Sequence, residues 1–155
     1  MRELIGAHPE ALRDMYRMGR PTDTTALGGE RDGYMLAYEP IAAIFSVTRP
    51  LVRALAETGL WRGKHFESGG TSGRDRMLGR RPFRFRCEVA PSALDGAPTL
   101  LMRYDNLGNP WPLGRYAGEL RTLNDAVAIG PSVVKTGNGR HSVQGWWGLV
   151  LPTSP

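Results

Sequence analysis

The feature that most constrains the fold is an alternation of apolar and charged residues in the second half of the chain. From Phe83 to Val89, apolar residues occupy every second position, and arginine or glutamate lies between them. This period of two is typical of a β-strand with one buried face. Residues 99–104 form a second apolar stretch of strand length, and Asp95 and Gly96 between the two stretches are a turn signal. The pattern predicts an antiparallel hairpin.

A second hairpin is predicted near the C-terminus. Residues 126–136 and 141–151 flank the Gly-Asn-Gly segment at 137–139, whose composition favours a tight turn. Strands joined by short turns form a meander, and a meander of this size avoids exposed edges best by closing into a barrel. We therefore expect a mainly β (α+β) protein built on an antiparallel β-barrel.

The N-terminal part of the sequence has a helical character. Pro9 stands at a favoured first position of a helix and Gly19 at its end, with an apolar stripe at helical spacing between them. Residues 34–39 fit a short strand, and residues 40–59 form the most helical stretch. A length of 155 residues fits one domain. We expect a single domain, 1–155, with residues 1–58 as a helical N-terminal cover and residues 59–151 as the barrel.

The segment that joins these two parts carries a motif. It reads Gly59-Leu60-Trp61-Arg62-Gly63-Lys64-His65-Phe66, with a G-x-W-x-G core. It resembles the G-x-W signature of lipocalin-like proteins. More closely, it is similar to the bacterial GXWXG family, in which the stretch commonly continues as W-x-G-K-x-F. Residues 101–105, then Pro110 and Leu120-Arg121, are similar to that family's companion C-terminal domain. The resemblance covers residues 59–151 and implies a lipocalin-like barrel with a pocket, but it brings no catalytic residues with it.

Strand parity selects the candidate catalytic residues. Tyr104 shares a face with Met102, so it is expected inside the barrel near one mouth, where it can donate to a ligand carbonyl. His65 shares parity with Trp61 and is the best candidate acid or base in the pocket. Asp105 follows at the strand end and can reach the rim. The alternative is that Arg103 and Asp105 form a surface pair and Tyr104 only closes the barrel end.

Large side chains of the predicted strands and loops are the candidates for contact with a ligand. They are Trp61, Phe66, Phe85, Met102, Arg103, Trp111 and Trp146. Because Trp146 and Trp147 are adjacent on one strand, they point to opposite faces. One of the two is expected in the core and the other at an exposed apolar patch or a homo-oligomer contact.

Several kinds of site find no support in the sequence. The histidines His8, His65 and His141 are far apart and make no metal-binding spacing with the single cysteine, Cys87. A dinucleotide fingerprint, a phosphate loop and a serine-nucleophile elbow are absent. Residues 69–73 predict a flexible glycine-rich loop, and residues 117–121 a short helical segment or a turn. We expect no metal and no cofactor, with haem held by His65 as the alternative.

The charge and the hydropathy pattern bear on partners. The net charge is +5, and only Lys64 and Lys135 among 20 basic residues are lysines. The clustered arginines alternate along a predicted strand, which favours a solvated strand face over a nucleic-acid surface. A secretory signal and an apolar run long enough to cross a membrane are both absent. We expect a cytoplasmic protein that binds neither nucleic acid nor membrane.

The function expected from this reasoning is binding of a hydrophobic small molecule in the barrel lumen. The protein would act as a cofactor-independent isomerase or cyclase on a polyketide-, terpenoid- or fatty-acyl-like compound. The alternative is a non-catalytic lipocalin-like carrier of a fatty acid, another lipophile or haem. A third hypothesis is an interaction module that uses exposed tryptophans and arginines.

Overall fold

Eight antiparallel strands close into a barrel. The computed structural model describes residues 1–39, 58–110 and 113–152. Each of the barrel strands pairs with the next along the chain, and the last pairs with the first, so the sheet is an up-and-down meander without an open edge. A two-residue strand, β1 (Arg20–Pro21), adds to the side of β7. The barrel strands are β2 (Gly29–Tyr38), β3 (Trp61–Phe66), β4 (Ser72–Met77), β5 (Arg84–Pro91), β6 (Pro98–Arg103), β7 (Tyr116–Asn124), β8 (Val127–Lys135) and β9 (His141–Val150).

The predicted hairpins are confirmed. β5 and β6 pair from Arg86↔Arg103 to Pro91↔Pro98 around the Asp-Gly turn, and β8 and β9 pair up to Lys135↔His141 around the Gly-Asn-Gly turn. The backbone of Thr136 closes the second turn by donating to the carbonyl of Arg140 at 2.8 Å. Turn chemistry and strand alternation thus fix this half of the barrel.

Three parts of the barrel differ from the prediction. The barrel begins with β2 at Gly29, well before the predicted residue 59, so residues 1–58 are not wholly a helical cover. Residues 117–121 lie in β7 and not in a helical segment, because pairing with β6 and β8 on both sides overrides a weak local preference. The glycine-rich loop ends sooner than predicted, since β4 starts at Ser72.

The described part of the chain contains one α-helix, α1 (Pro9–Met18). His8 caps it through Nδ1, which accepts from the backbone N–H of Glu10 at 3.3 Å, and Gly19 ends it. The predicted helix over 9–19 is confirmed, whereas most of the predicted helical stretch at 40–59 lies outside the described residues. In the described ranges, no helix has the length and apolarity needed to cross a bilayer.

The core has two parts on opposite sides of the sheet. One fills the lumen, with the side chains Leu27, Phe66, Phe85, Leu100, Met102, Tyr104, Leu120, Ala128, Trp147, Leu149 and Leu151. The other lies outside the barrel under α1, with Leu12, Tyr16, Leu36, Ala37, Ile129 and Trp146. The barrel therefore has two buried surfaces, its lumen and the part of its outer face on which α1 packs.

Candidate ligand-binding site

A cavity of about 340 Å³ opens at one end of the barrel, which we call the mouth. The strand ends at Tyr38, Trp61, Met77 and Tyr116 surround it, and most of its wall is apolar. This volume is near the lower limit of small-molecule pockets in proteins. The lining residues are Met35, Tyr38, Leu60, Trp61, Lys64, Asp75, Met77, Phe83, Tyr104, Leu113, Tyr116, Gly118, Ser132 and Trp147.

A β-bulge in the G-x-W-x-G segment decides which side chains reach this cavity. Trp61 pairs with Met77 of β4 and Gly63 pairs with Arg76, so Arg62 is an extra residue without an opposite partner. The bulge shifts the alternation of β3 by one position. As a result, both Trp61 and Lys64 face the lumen, although they are three residues apart.

Gly63 makes this bulge compatible with tight pairing to β2. Its φ is +114°, a region that favours glycine, and a Cβ at this position would lie 2.1 Å from the carbonyl oxygen of Arg31. The motif therefore has a local structural cause, because only glycine permits both the backbone angle and the close approach.

The polar part of the cavity is a buried network of three side chains. Lys64 Nζ lies 2.6 Å from Asp75 Oδ1 and 2.6 Å from Tyr104 Oη. Asp75 Oδ1 also accepts from Trp61 Nε1 at 3.1 Å. The side chains of Lys64 and Asp75 are only 3% and 8% exposed. A buried charge pair of this kind needs its hydrogen bonds to offset desolvation, and both members have them.

Aromatic rings surround the Lys64 ammonium. Its Nζ lies 4.6 Å from the ring centroid of Phe85, 4.9 Å from that of Trp147 and 5.3 Å from that of Tyr104. Trp61 lies slightly farther, at 5.7 Å, and packs edge-on against Trp147. Ring faces attract a cation, so they add to the stabilisation of a charged lysine in the lumen.

Tyr104 is a neutral hydrogen-bond donor over the physiological pH range. Burial raises the pKa of its phenol well above its usual value, and the negative charge and hydrogen bonding of Asp75 act in the same direction. Burial likewise raises the pKa of the nearby Cys87 thiol to about 12, which the positive charge of Lys64 offsets in part. A thiol in this state is a poor nucleophile, so Cys87 supplies no reactive thiolate beside the cavity.

Two of the predicted catalytic residues lie away from the cavity. The bulge reverses the parity of His65, which faces the outside of the barrel opposite Glu30 on β2. Asp105 lies on the outer surface, where its carboxylate accepts from Nε and Nη2 of Arg103 at 3.2 and 3.0 Å. Arg103 also reaches Glu88 outside the barrel. Of the three predicted catalytic residues, Tyr104 alone lines the cavity. Its side chain points inward, as the alternation along β6 predicts.

The predicted ligand-contacting residues divide in a similar way. Trp61 lines the cavity, while Phe66, Phe85 and Met102 are buried in the lumen core beside it. Trp146 does not face the lumen: it is fully buried under α1, where its Nε1 donates to Glu39 Oε1 at 2.9 Å. Its neighbour Trp147 takes the lumen position, as strand alternation requires. Trp111 lies outside the described residues.

Lys64, Asp75 and Trp147 are the site residues that strand reasoning did not select. Lys64 is one of only two lysines in a chain rich in arginine, and it follows the bulge glycine directly. Asp75 stands between Arg74 and Arg76, a charge pattern that normally indicates a solvated strand. The rarity of lysine was a usable signal for Lys64, whereas the burial of Asp75 depends on its three-dimensional partners.

A second buried polar cluster fastens α1 to the barrel. Tyr16 Oη donates to Glu119 Oε2 at 2.5 Å, and Ser92 Oγ donates to the same oxygen at 2.6 Å. Arg121, which is 1% exposed, forms two hydrogen bonds to the carboxylate of Asp95 and lies over the Tyr16 ring. Every group of this cluster is satisfied within the fold, so its role is docking of the helix. In the described segments, no group of three or more His, Cys, Asp or Glu side chains is arranged to hold a metal ion.

Comparison with known proteins supports the fold alone. Models of protein families give no match to this chain, and curated proteins give none either. A crystal structure of a protein from Thermomonospora curvata is similar, with a TM-score of 0.57 and 17% sequence identity. The similarity covers 92% of this chain and 86% of that one. At this identity the likeness concerns the barrel architecture and carries no function with it.

Proposed function

We propose that the protein binds a hydrophobic small molecule in the mouth of the barrel and acts on it as a cofactor-independent isomerase or cyclase. The observation that carries the proposal is the buried Lys64–Asp75–Tyr104 network at the base of an otherwise apolar cavity. Buried charges are costly and need a compensating benefit, and they cluster at functional sites for this reason. The apolar wall suits a polyketide-, terpenoid- or fatty-acyl-like skeleton.

The network suits a ligand whose polar end is a carbonyl oxygen. Lys64 donates to Tyr104 Oη, which polarises the phenol. Its single proton is shared with Asp75 in the free protein, and it turns to a ligand oxygen when a carbonyl binds. When a proton leaves the carbon next to the carbonyl, negative charge develops on the oxygen, where Tyr104 and the Lys64 charge stabilise it. Asp75 accepts that proton and returns it to another carbon, so the net reaction is an isomerisation. An amine ligand fits poorly, because the Lys64 ammonium occupies the aromatic site that a cation would take.

Hydrogen–deuterium exchange on a hydrophobic ketone tests this proposal without knowledge of the natural substrate. The purified protein is incubated in D₂O with 2-tetralone or a medium-chain methyl ketone, and loss of the α-proton signal is followed by NMR. Exchange above the rate without protein is expected for the wild type, and Tyr104→Phe should reduce it by about a hundredfold, the scale of a lost oxyanion donor. Arg103→Met, outside the barrel, is the matched control and should exchange as the wild type. Equal rates with and without protein, at ketone concentrations that quench tryptophan fluorescence, would exclude the enzymatic proposal.

The second candidate is a carrier of a lipophile. The observation in its favour is that the Lys64–Asp75 pair already satisfies its own hydrogen bonds and needs no reacting group. For a carrier, native mass spectrometry of the purified protein should show a retained apolar ligand. Ketones should quench the fluorescence of Trp61 and Trp147 without hydrogen–deuterium exchange. Haem is not part of either proposal, because His65 faces away from the cavity.

We also propose a relationship to the GXWXG family and, more distantly, to lipocalin-like barrels. Support comes from the bulge. The motif segment 59–63 contains the extra residue that brings both Trp61 and Lys64 into the lumen. A crystal structure of a GXWXG-family protein tests this relationship. An equivalent bulge with an inward lysine is expected, and a regular strand at the motif would contradict it.

A further inference from the structure

Two leucines are exposed beside the mouth of the barrel. Leu78, in the turn after β4, is 70% exposed, and Leu60, directly before β3, is 46% exposed. The two segments are adjacent, because the backbone N–H of Leu78 donates to the carbonyl of Leu60 at 3.2 Å. Together they form an apolar pair on the outer rim, which we call the leucine pair.

The backbone at Leu78 makes this exposure unusual. Its φ is +50°, in the left-handed region that glycine, asparagine and aspartate tolerate better than leucine. Gly79 follows with φ +72°. Neither burial nor backbone preference accounts for a leucine here, and strained positions of this kind often have a functional cause.

Charge is distributed unevenly between the two ends of the barrel. The described loop residues at the mouth (39, 58–60, 78–83, 104–110, 113–115 and 136–140) contain four arginines, Arg80, Arg81, Arg115 and Arg140, and two carboxylates, Glu39 and Asp105. Both carboxylates are paired, with Arg13 and Arg103, and Arg81 is paired with Glu30. The hairpin loops at the opposite end (67–71, 92–97 and 125–126) contain Glu67, Asp95 and Asp125 and no cation, with Asp95 paired to Arg121. Among the described loop residues, the mouth is therefore the basic end of the barrel.

We propose that the mouth docks on the surface of an anionic lipid bilayer. The leucine pair enters the boundary between headgroups and acyl chains, and Arg80 and its basic neighbours contact the anionic headgroups. The absence of a spanning segment in the sequence does not oppose this, because a peripheral protein needs only a small apolar contact and cations around it. The inference goes beyond ligand binding and does not depend on catalysis. It supplies a route by which a hydrophobic ligand enters the cavity from the membrane.

Co-sedimentation with vesicles tests the proposal. At low ionic strength, the wild type should bind phosphatidylcholine–phosphatidylglycerol vesicles, bind pure phosphatidylcholine vesicles much more weakly, and dissociate as salt rises. Leu78→Asn should lower the partition coefficient by about tenfold, the effect of withdrawing one leucine side chain from an apolar phase. Because asparagine suits a positive φ, this variant should unfold at the same temperature as the wild type or higher.

The matched control is Val89→Thr towards the end of β5 that lies away from the mouth, where the valine is 64% exposed in a strand. It should leave vesicle binding unchanged. The proposal is overturned if the wild type does not bind anionic vesicles, or if Leu78→Asn binds them as well as Val89→Thr does. Tyr104→Phe inside the cavity separates this result from the ligand proposal, since it should reduce ketone exchange, keep the Lys64–Asp75 pair and leave vesicle binding intact.

Discussion

The buried ion pair between Lys64 and Asp75 allows a double-mutant cycle. Each single substitution should lower the stability of the fold, and the double substitution should restore most of it. Lys64→Met leaves the Asp75 carboxylate, which is 8% exposed, with Trp61 Nε1 as a neutral donor. Removing one member of a buried pair costs about 3–5 kcal/mol because the other charge stays desolvated. For a chain of this length, about 2–4 °C of melting temperature correspond to each kcal/mol, so a loss of about 10 °C is expected. Asp75→Asn should cost a similar amount, since it leaves the Lys64 ammonium without its counter-charge.

The double variant Lys64→Met/Asp75→Asn should recover most of this loss. It contains no buried charge, and the asparagine side-chain oxygen still accepts from Trp61, so stability within about 2 kcal/mol of the wild type is expected. Urea unfolding followed by circular dichroism gives the four free energies of unfolding. Arg103→Met is the control, since a pair that is about half exposed contributes about 1 kcal/mol or less. If the double variant loses the sum of the two single losses, the pair is not coupled and the interpretation of the lumen network is wrong.

Three further predictions concern the fold around the site. Gly63→Ala should lower stability by several kcal/mol more than Gly69→Ala, because both have positive φ but only at Gly63 does a Cβ meet backbone at 2.1 Å; urea unfolding of both variants measures the difference. Tyr16→Phe should cost about 1–3 kcal/mol, since it removes a 2.5 Å hydrogen bond to a buried carboxylate, and loss of helix α1 before the barrel in hydrogen exchange is the expected pattern. The Arg121 guanidinium lowers the pKa of Asp95, so the stability that this pair contributes is present above pH 3.8 and is lost as the pH falls through the lower folded pKa. An Asp95→Asn variant should therefore approach the wild type in stability only in strong acid, and a constant difference across the acid range would contradict this.

The strands that the sequence predicts are those whose pairing is local and whose turns have strong signals. β5, β6, β8 and β9 alternate or run apolar between Asp-Gly and Gly-Asn-Gly turns, and the barrel follows from closing such a meander. β4 and β7 escaped prediction for a different reason. β4 is charged, with arginines on either side of Asp75, and residues 117–121 of β7 have a mixed composition. These segments are strands because they pair with neighbouring strands on both sides. The propensity of a single segment carries no information about that pairing.

The candidate site was harder to predict than the fold. One extra residue in β3 reverses the face of the sheet that every following side chain of this strand occupies. A regular strand through Trp61 would place His65 inside, and this is what period-two reasoning gives. A bulge is not visible in hydrophobic periodicity, but Gly63 in a strand interior is one of its few sequence signals. Trp146 and Trp147 illustrate the same limit, since alternation separates them but only the position of α1 shows which one faces outward.

The bulge also explains why a lysine, the residue least expected in an oily lumen, is stable there. Residue 64 points inward only because Arg62 is looped out, and its ammonium then reaches Asp75 on the adjacent strand and Tyr104 across the lumen. Without the bulge the inward positions would be occupied by Gly63 and His65, and Asp75 would have no cation. An Arg62 deletion therefore tests the link from backbone to chemistry. It removes the extra residue, so Gly63 follows Trp61 directly in a regular β3 and the pairs with Met77, Arg76 and Asp75 are kept. Trp61 and Lys64 should both stay inward, and the Lys64 amine should stay protected from acylating reagents. A deletion variant in which Lys64 is acylated readily would show that Arg62 is not the residue that the bulge accommodates.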